Sequence, residues 1–236
     1  MKTTTLSVPP PTVVARRPPK RFSVELSAGL ASALPMPPAA ELPVARLASR
    51  GIDVIGAASL LVILAIPMLF IALLIRLTSG GPILYRQQRV GRGGRYFSML
   101  KFRTMRVDAE AETGPVWARP GDPRRTRIGV LLRRFSLDEL PQLINVLRGD
   151  MSLVGPRPER PCFVKEFSQQ YPDYARRHHV LPGITGWAQV NGWRGNTPVD
   201  VRLQYDLYYI ENWSLIFKLR ILLVTPFRVL VERNAY

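Results

Sequence analysis

Two adjacent carboxylates, Asp138 and Glu139, lie within FSLDELPQLINVLRGDMSLVGPRP (residues 135–158), with Arg133, Arg134, Arg148 and Arg157 around them. An acidic pair among fixed cations points to phosphate chemistry. A carboxylate can attack phosphorus or hold a divalent cation, and guanidinium forks grip phosphate oxygens in pairs. The same residues admit a plainer reading. Ser136 and Glu139 match the S-x-x-E capping box, with Phe135 and Leu140 placed as its hydrophobic staple. Glu139 would then serve only a helix end. Either way Asp138 is expected at a helix N-terminus, where the dipole and free N–H groups keep a carboxylate ionised and accept phosphate beside it. Pro141 falls at the fifth helical position and predicts an irregular first turn.

Further cations are set by their neighbours. Arg157 stands between Pro156 and Pro158, whose rings restrict the backbone and suit a rigid phosphate clamp. Lys101 and Arg103 follow a short strand, Tyr96–Leu100, that pairs with Ile83–Tyr85 across a turn at Gly91, Gly93 and Gly94. The turn sequence GRGGR lacks P-loop spacing. Residues 107–123 read as a helix start and a loop. Arg124–Arg134 reads as a short helix with Ile128, Leu131 and Leu132 on its apolar side. That leaves Arg133 either solvated or aimed at the acidic pair.

Beyond the pair, Gln142–Leu147 continues as an apolar helix closed by a left-handed Gly149, and Ser152–Val154 reads as a strand. Phe163–Val180 is an amphipathic helix interrupted at Pro172. His178 and His179 are adjacent, so they diverge and make a poor metal pair. Trp187 and Trp193 sit in the glycine-bearing loop Leu181–Gly195 and suit either stacking on a ligand or burial. Val199–Tyr209 reads as helix. Trp213–Phe227 is an apolar helix with Lys218 and Arg220 at its edge, fit for the membrane interface or for the core.

The chain of 236 residues carries a net charge of +16, and only five of its 33 basic residues are lysine. Such a balance favours an anionic partner, whether nucleic acid, a lipid surface or phosphorylated substrates, unless it merely reflects a general preference for arginine. The one cysteine, Cys162, allows no intramolecular disulfide. Residues 1–45 hold nine of the 22 prolines and read as a disordered tail. A signal peptide fits poorly there, because prolines interrupt its apolar stretch. Val54–Ile75 then runs 22 positions without a charge. As one helix it would be about 33 Å long, one hydrocarbon core. Pro67 should kink or break it, and basic residues on both flanks leave orientation undecided by the positive-inside rule. A spanning helix and a re-entrant helix–break–helix hairpin both remain open.

KFRTM (Lys101–Met105), LDELPQLINVLRGDMSLVGPRPE (Leu137–Glu159), LPGITGWAQVNGWRG (Leu181–Gly195) and YDLYYIENWSL (Tyr205–Leu215) resemble motifs of the bacterial sugar transferases, the monotopic polyprenyl-phosphate phosphoglycosyl transferases, over about residues 48–232. The resemblance implies transfer of a sugar-1-phosphate from a UDP-sugar to undecaprenyl phosphate with release of UMP. This would be the first membrane step of exopolysaccharide or other surface polysaccharide assembly. It implies Asp138 as nucleophile in a ping-pong cycle with Mg²⁺ bound at Asp138, and Glu139 assisting. Lys101, Arg133 and Arg157 match phosphate-holding positions, and Asp206 matches an acidic position before the aromatic segment. The apolar segment would be the family's re-entrant hairpin, broken at Ile66-Pro67 where relatives often carry Ser-Pro. GWAQVNGWRGNT (Gly186–Thr197) looks most like members that transfer glucose-1-phosphate, with galactose or an N-acetylated sugar as alternatives. Larger members add N-terminal spanning helices and a middle domain, so this chain is expected to be a compact form.

The reading is therefore an α+β fold, mainly helical. It comprises a tail (1–45), a re-entrant membrane helix (46–78) and a small catalytic domain (79–236) on the cytoplasmic face of the bacterial inner membrane, with interfacial amphipathic helices. Arg103 joins Lys101 as a substrate-binding cation at the strand end. The partners are a UDP-sugar, undecaprenyl phosphate and the lipid bilayer, with a homodimer left open. A membrane-tethered protein binding nucleic acid or anionic lipid is the other class. No nucleic-acid partner is expected, because no reader motif is present and such binding needs no acidic pair between arginines. A CDP-alcohol phosphotransferase would need several membrane helices and repeated aspartates on one helix.

Overall fold

The computed structural model describes residues 43–231, except 112, 113, 115 and 117–120. The proline-rich tail lies outside the described residues, apart from Pro43, Val44 and Ala45, which already belong to the first helix.

Helices α1 (Pro43–Ile63) and α2 (Ala65–Ser79) are joined at Leu64 with a bend of 63°. The break therefore falls three residues before the expected Pro67. The proline sits in the first turn of α2, where a missing N–H is tolerated. In an unbroken helix that N–H would bond the Ile63 carbonyl. The ladder has its gap there, bracketed by Leu64 N to Leu60 O and Met68 N to Leu64 O, each 2.9 Å. Among the described residues no single helix is long and apolar enough to cross a membrane, but the bent pair together meets the length and composition of a broken span or re-entrant loop. Ile55, Val62, Ile63, Ile66, Leu69 and Phe70 are exposed around the elbow.

The first half of α1 is seated on the domain instead. Asp53 is 2% exposed. Its carboxylate meets Lys218 at 2.8 Å and accepts from Ser152 Oγ (3.0 Å) and Leu153 N (2.9 Å). Arg50 donates to the carbonyls of Val146 (2.7 Å) and Leu147 (3.0 Å) at the next helix end it meets.

Strands β1 (Leu84–Val90) and β2 (Tyr96–Phe102) form the expected antiparallel hairpin, with Tyr85 opposite Lys101 and Val90 opposite Tyr96. Strand β1 runs five residues past Tyr85. Helix α3 (Arg127–Arg134) is capped by Thr126, whose hydroxyl accepts from Gly129 N at 3.0 Å. Helix α4 (Gln142–Arg148) ends at a left-handed Gly149 (φ 88°), as its position after the apolar run predicts. A parallel pair follows, β3 (Ser152–Val154) beside β4 (Gly183–Thr185). Here Gly155 and Gly183 allow the chains to touch: a Cβ on Gly183 would stand 2.1 Å from the Gly155 nitrogen. The remaining helices are α5 (Pro161–Gln170), a 3₁₀ segment (Pro172–His179), α6 (Trp187–Val190), α7 (Val199–Glu211) and α8 (Leu215–Val231). The result is a mostly helical fold with a small mixed α/β core behind a bent helix pair.

Leu143, Val146, Met151, Leu153, Phe167, Tyr174, Leu207 and Ile221 form the main core. A second cluster, Ile71, Ile75, Phe102 and Leu132, fastens α2 to β2 and α3. Trp187 is half-buried and packs against Tyr208 and Phe217, at the edge of the core. On α8, Lys218 is not at an exposed edge: it is 1% exposed and turned to Asp53, while Ile216, Leu223 and Phe227 face outward. An apolar outer face suits lipid contact, and the buried lysine needs its carboxylate partner to be there at all.

Candidate active site

The turn after α3 carries the two carboxylates. Ser136 takes a left-handed backbone (φ 54°), and Leu137–Glu139 forms one 3₁₀ turn. The capping box is not formed, since Ser136 makes no side-chain cap bond. Glu139 turns instead to Lys101 and Arg157, because two charged donors outcompete one backbone N–H for a carboxylate. Regular helix begins only at Gln142, after Pro141. Asp138 therefore does not stand at the N-terminus of a regular helix, and side chains rather than a helix dipole set its electrostatics.

Lys101, from β2, lies 2.9 Å from Glu139 Oε1 and 3.8 Å from Asp138 Oδ2. Arg157 forks onto Glu139, with one nitrogen 3.1 Å from Oε2 and the other on Oε1. Burial works to raise the Glu139 pKa, but Arg157 and Lys101 together outweigh it and hold the carboxyl well below the usual carboxylate range. Asp138 is 6% exposed, and among the described residues its ion-pair partner is Lys101 at that longer distance. Burial pushes its pKa above the ordinary aspartate value, with Lys101 pulling the other way and Glu139 adding to the rise. The environment thus drives two neighbouring carboxylates apart, one locked and strongly acidic, the other more basic and loosely held.

Both face a cleft of about 1390 Å³. Lys101, Arg103, Arg133 and Arg157 line it as well. Arg133 donates from Nε to Thr104 Oγ1 at 2.9 Å. Arg103 is 4% exposed and ties down the end of α2 through Ser79 Oγ (2.8 Å) and the Gly80 carbonyl. Asp206 is not among the lining residues: it lies 3% exposed on α7, with its carboxylate on Arg177 at 2.8 Å. Pro67 is likewise outside the lining, although Leu61, Ala65, Met68 and Leu69 of the elbow form an apolar wall of the cleft.

Several lining cations were not anticipated, among them Arg89, Arg160, Arg194 and Arg202. Arg89 had a signal. Alternation along a longer β1 puts it on the face of Tyr85, opposite Lys101. Arg89 also donates to the Pro158 carbonyl (2.9 Å) and, with Arg202, holds Glu159. Arg160 and Arg194 arrive by tertiary packing, from Glu110 (2.8 Å) and towards Ser136 Oγ (3.3 Å) respectively.

Among the described residues no group of three or more His, Cys, Asp or Glu gathers as a metal centre. A single loosely held carboxylate beside a cation-lined cleft still fits Mg²⁺, which keeps several waters and takes one or two carboxylates together with phosphate oxygens.

The sequence profile described as bacterial sugar transferase matches residues 44–232. The chain belongs to that family. Relatives of the chain include the UDP-glucose:undecaprenyl-phosphate glucose-1-phosphate transferase of Xanthomonas campestris pv. campestris, 50% identical over 72% of this chain and 36% of the relative. The Caulobacter vibrioides protein of the same name is 47% identical over 80% of this chain and 72% of its own. A UDP-N-acetylgalactosamine-undecaprenyl-phosphate N-acetylgalactosaminephosphotransferase of Aeromonas hydrophila is 44% identical over 73% of this chain and 41% of its own. The chain thus spans well under half the length of two of these three relatives.

Proposed function

We propose that the protein transfers a sugar-1-phosphate, glucose-1-phosphate first among the candidates, from a UDP-sugar to undecaprenyl phosphate with release of UMP. The observation that carries this reading is a single cleft with two kinds of wall. One wall is cationic and holds a loosely paired Asp138; the other is apolar and comes from the helix elbow. A water-soluble diphosphate and a lipid phosphate can meet there.

In the first step an Asp138 oxygen attacks the sugar-bearing phosphorus, and the bond to the UMP phosphate breaks with its electron pair leaving on UMP. In the second, an oxygen of undecaprenyl phosphate attacks the same phosphorus. The aspartyl bond breaks, the diphosphate lipid forms and the Asp138 carboxylate is regenerated. The raised basicity of Asp138 favours attack, and the locked Glu139 keeps Lys101 and Arg157 in place around the transferring phosphoryl group. Mg²⁺ bound at Asp138 would supply charge neutralisation on the diphosphate. The exposed apolar elbow and the outer face of α8 support seating at a bilayer. The catalytic domain is proposed to lie on the cytoplasmic face of the bacterial inner membrane.

The relatives' names favour glucose, and the Aeromonas relative keeps an N-acetylated sugar as the alternative. The test is UMP release in a membrane fraction supplied with UDP-glucose and undecaprenyl phosphate. Asp138→Asn should abolish it while the protein remains folded, and transfer near the wild-type rate in that variant would remove Asp138 as nucleophile.

A further inference from the structure

A buried guanidinium outside the cleft converges on the clamp that holds Glu139. Arg177, in the 3₁₀ segment, is 6% exposed. Its Nε donates to Asp206 Oδ2 (2.9 Å), one terminal nitrogen to the Tyr174 hydroxyl (2.6 Å) and the other to the Arg157 carbonyl (2.8 Å). The fork also lies over the Tyr174 ring, 4.9 Å from its centre. All three nitrogens are engaged, on α7, on the segment's own tyrosine and on the Pro-Arg-Pro strip. Burial would depress the charge of this group, but Tyr174 and Asp206 hold it firmly ionised.

The Arg157 backbone is already narrow. Pro156 has a fixed φ, and Pro158 restricts the residue before it. The remaining freedom is the tilt of the 157–158 peptide, whose carbonyl Arg177 grips. The following carbonyl, of Pro158, is gripped by Arg89 at 2.9 Å. The guanidinium of Arg157 then has a fixed root from which to fork onto Glu139.

We propose that Arg177 is a positioning residue for the transfer, acting with Asp206 and Tyr174 to hold the Arg157 clamp in register with Glu139. This rests on the transfer reading above, in which Arg157 and Glu139 surround the reacting phosphoryl group. Asp206 on this view serves the reaction at one remove, through Arg177, without touching substrate.

The test uses the full chain in membrane fractions or nanodiscs. Arg177→Met combined with Asp206→Leu removes the charge pair as a unit, a change that buried ion pairs often tolerate without loss of stability. The folded double variant should release UMP from UDP-glucose on the order of 100-fold more slowly, the cost of a misplaced clamp. The loss should fall on kcat, with KM for UDP-glucose little changed, because the clamp acts on the transferring phosphoryl group. Arg177→Lys, which keeps the charge but not the fork, should recover part of the rate. A folded double variant with wild-type kcat would reduce Arg177 to a brace of the core. Should the double variant fail to fold, Tyr174→Phe removes one hydrogen bond at constant shape. It should lower kcat by less than the double variant does, and an unchanged kcat there overturns the proposal. If the wild type releases no UMP, the transfer reading falls, and this inference falls with it.

Discussion

Lys218→Met tests what anchors the helix hairpin to the catalytic domain. The lysine is 1% exposed. It approaches Asp53 at 2.8 Å and donates to the Ser49 carbonyl (3.0 Å) and hydroxyl (2.7 Å). Methionine fills similar volume, so the change leaves little cavity, but it strands a carboxylate that is 2% exposed. Removing one partner of a buried pair costs about 3–5 kcal/mol. Asp53 keeps its bonds from Ser152 Oγ and Leu153 N, which places the expected loss at the lower end. For a domain of this size each kcal/mol moves Tm by about 2–4 °C, so a fall of about 6–12 °C is expected. The assay is thermal unfolding in detergent or nanodiscs, followed by near-UV circular dichroism. Asp53→Asn added to Lys218→Met should restore more than half of the loss, since asparagine removes the stranded charge yet keeps an acceptor for Leu153 N. A single variant that melts within about 2 °C of wild type would refute the argument that this pair holds α1 to β3 and α8.

Other outcomes follow from the same geometry. Asp138→Asn should melt at higher temperature than wild type at neutral pH. A carboxyl whose folded pKa is raised contributes stability only below its unfolded pKa and loses it as pH rises through the folded value, so a neutral side chain escapes that loss. Equal melting temperatures at pH 7 would contradict it. Arg157→Lys keeps one charge but loses the fork on Glu139, and kcat should drop on the order of 10- to 100-fold. A kcat equal to that of wild type would mean that the fork on Glu139 does not matter to the transfer. For topology, single cysteines at Ala48 and Arg92, in a Cys162→Ser background, should react with an impermeant reagent from the same side of sealed vesicles. Labelling from opposite sides would make the bent pair a span.

Much of the site was legible because its signals are local. The Asp138-Glu139 pair, the proline-flanked Arg157 and Lys101 at a strand end are each visible within a few residues, and the cleft brings all three together. Local reasoning also misled at this point. Ser136–Glu139 has the letters of a capping box, but the side-chain contacts that decide its conformation come from β2 and from the strip after β3. The bend shows the same division: Pro67 announces a break, yet the turn falls where the carbonyl left without a donor lies, near Leu64.

By itself the sequence determined the elements whose cause is chemical and near. These are the uncharged run from Val54 to Ile75, the hairpin turned at Gly91–Gly94, the Gly149 helix end and the presence of paired carboxylates among arginines. Only the tertiary structure decided which carboxylate is locked and which is loosely held, because that depends on cations 18 and 38 residues away in the chain. It also decided that Lys218 and Asp53 share a buried pair and that Asp206 serves Arg177 instead of the cleft. Burial and the approach of distant charges set these states, and neither is written in local spacing.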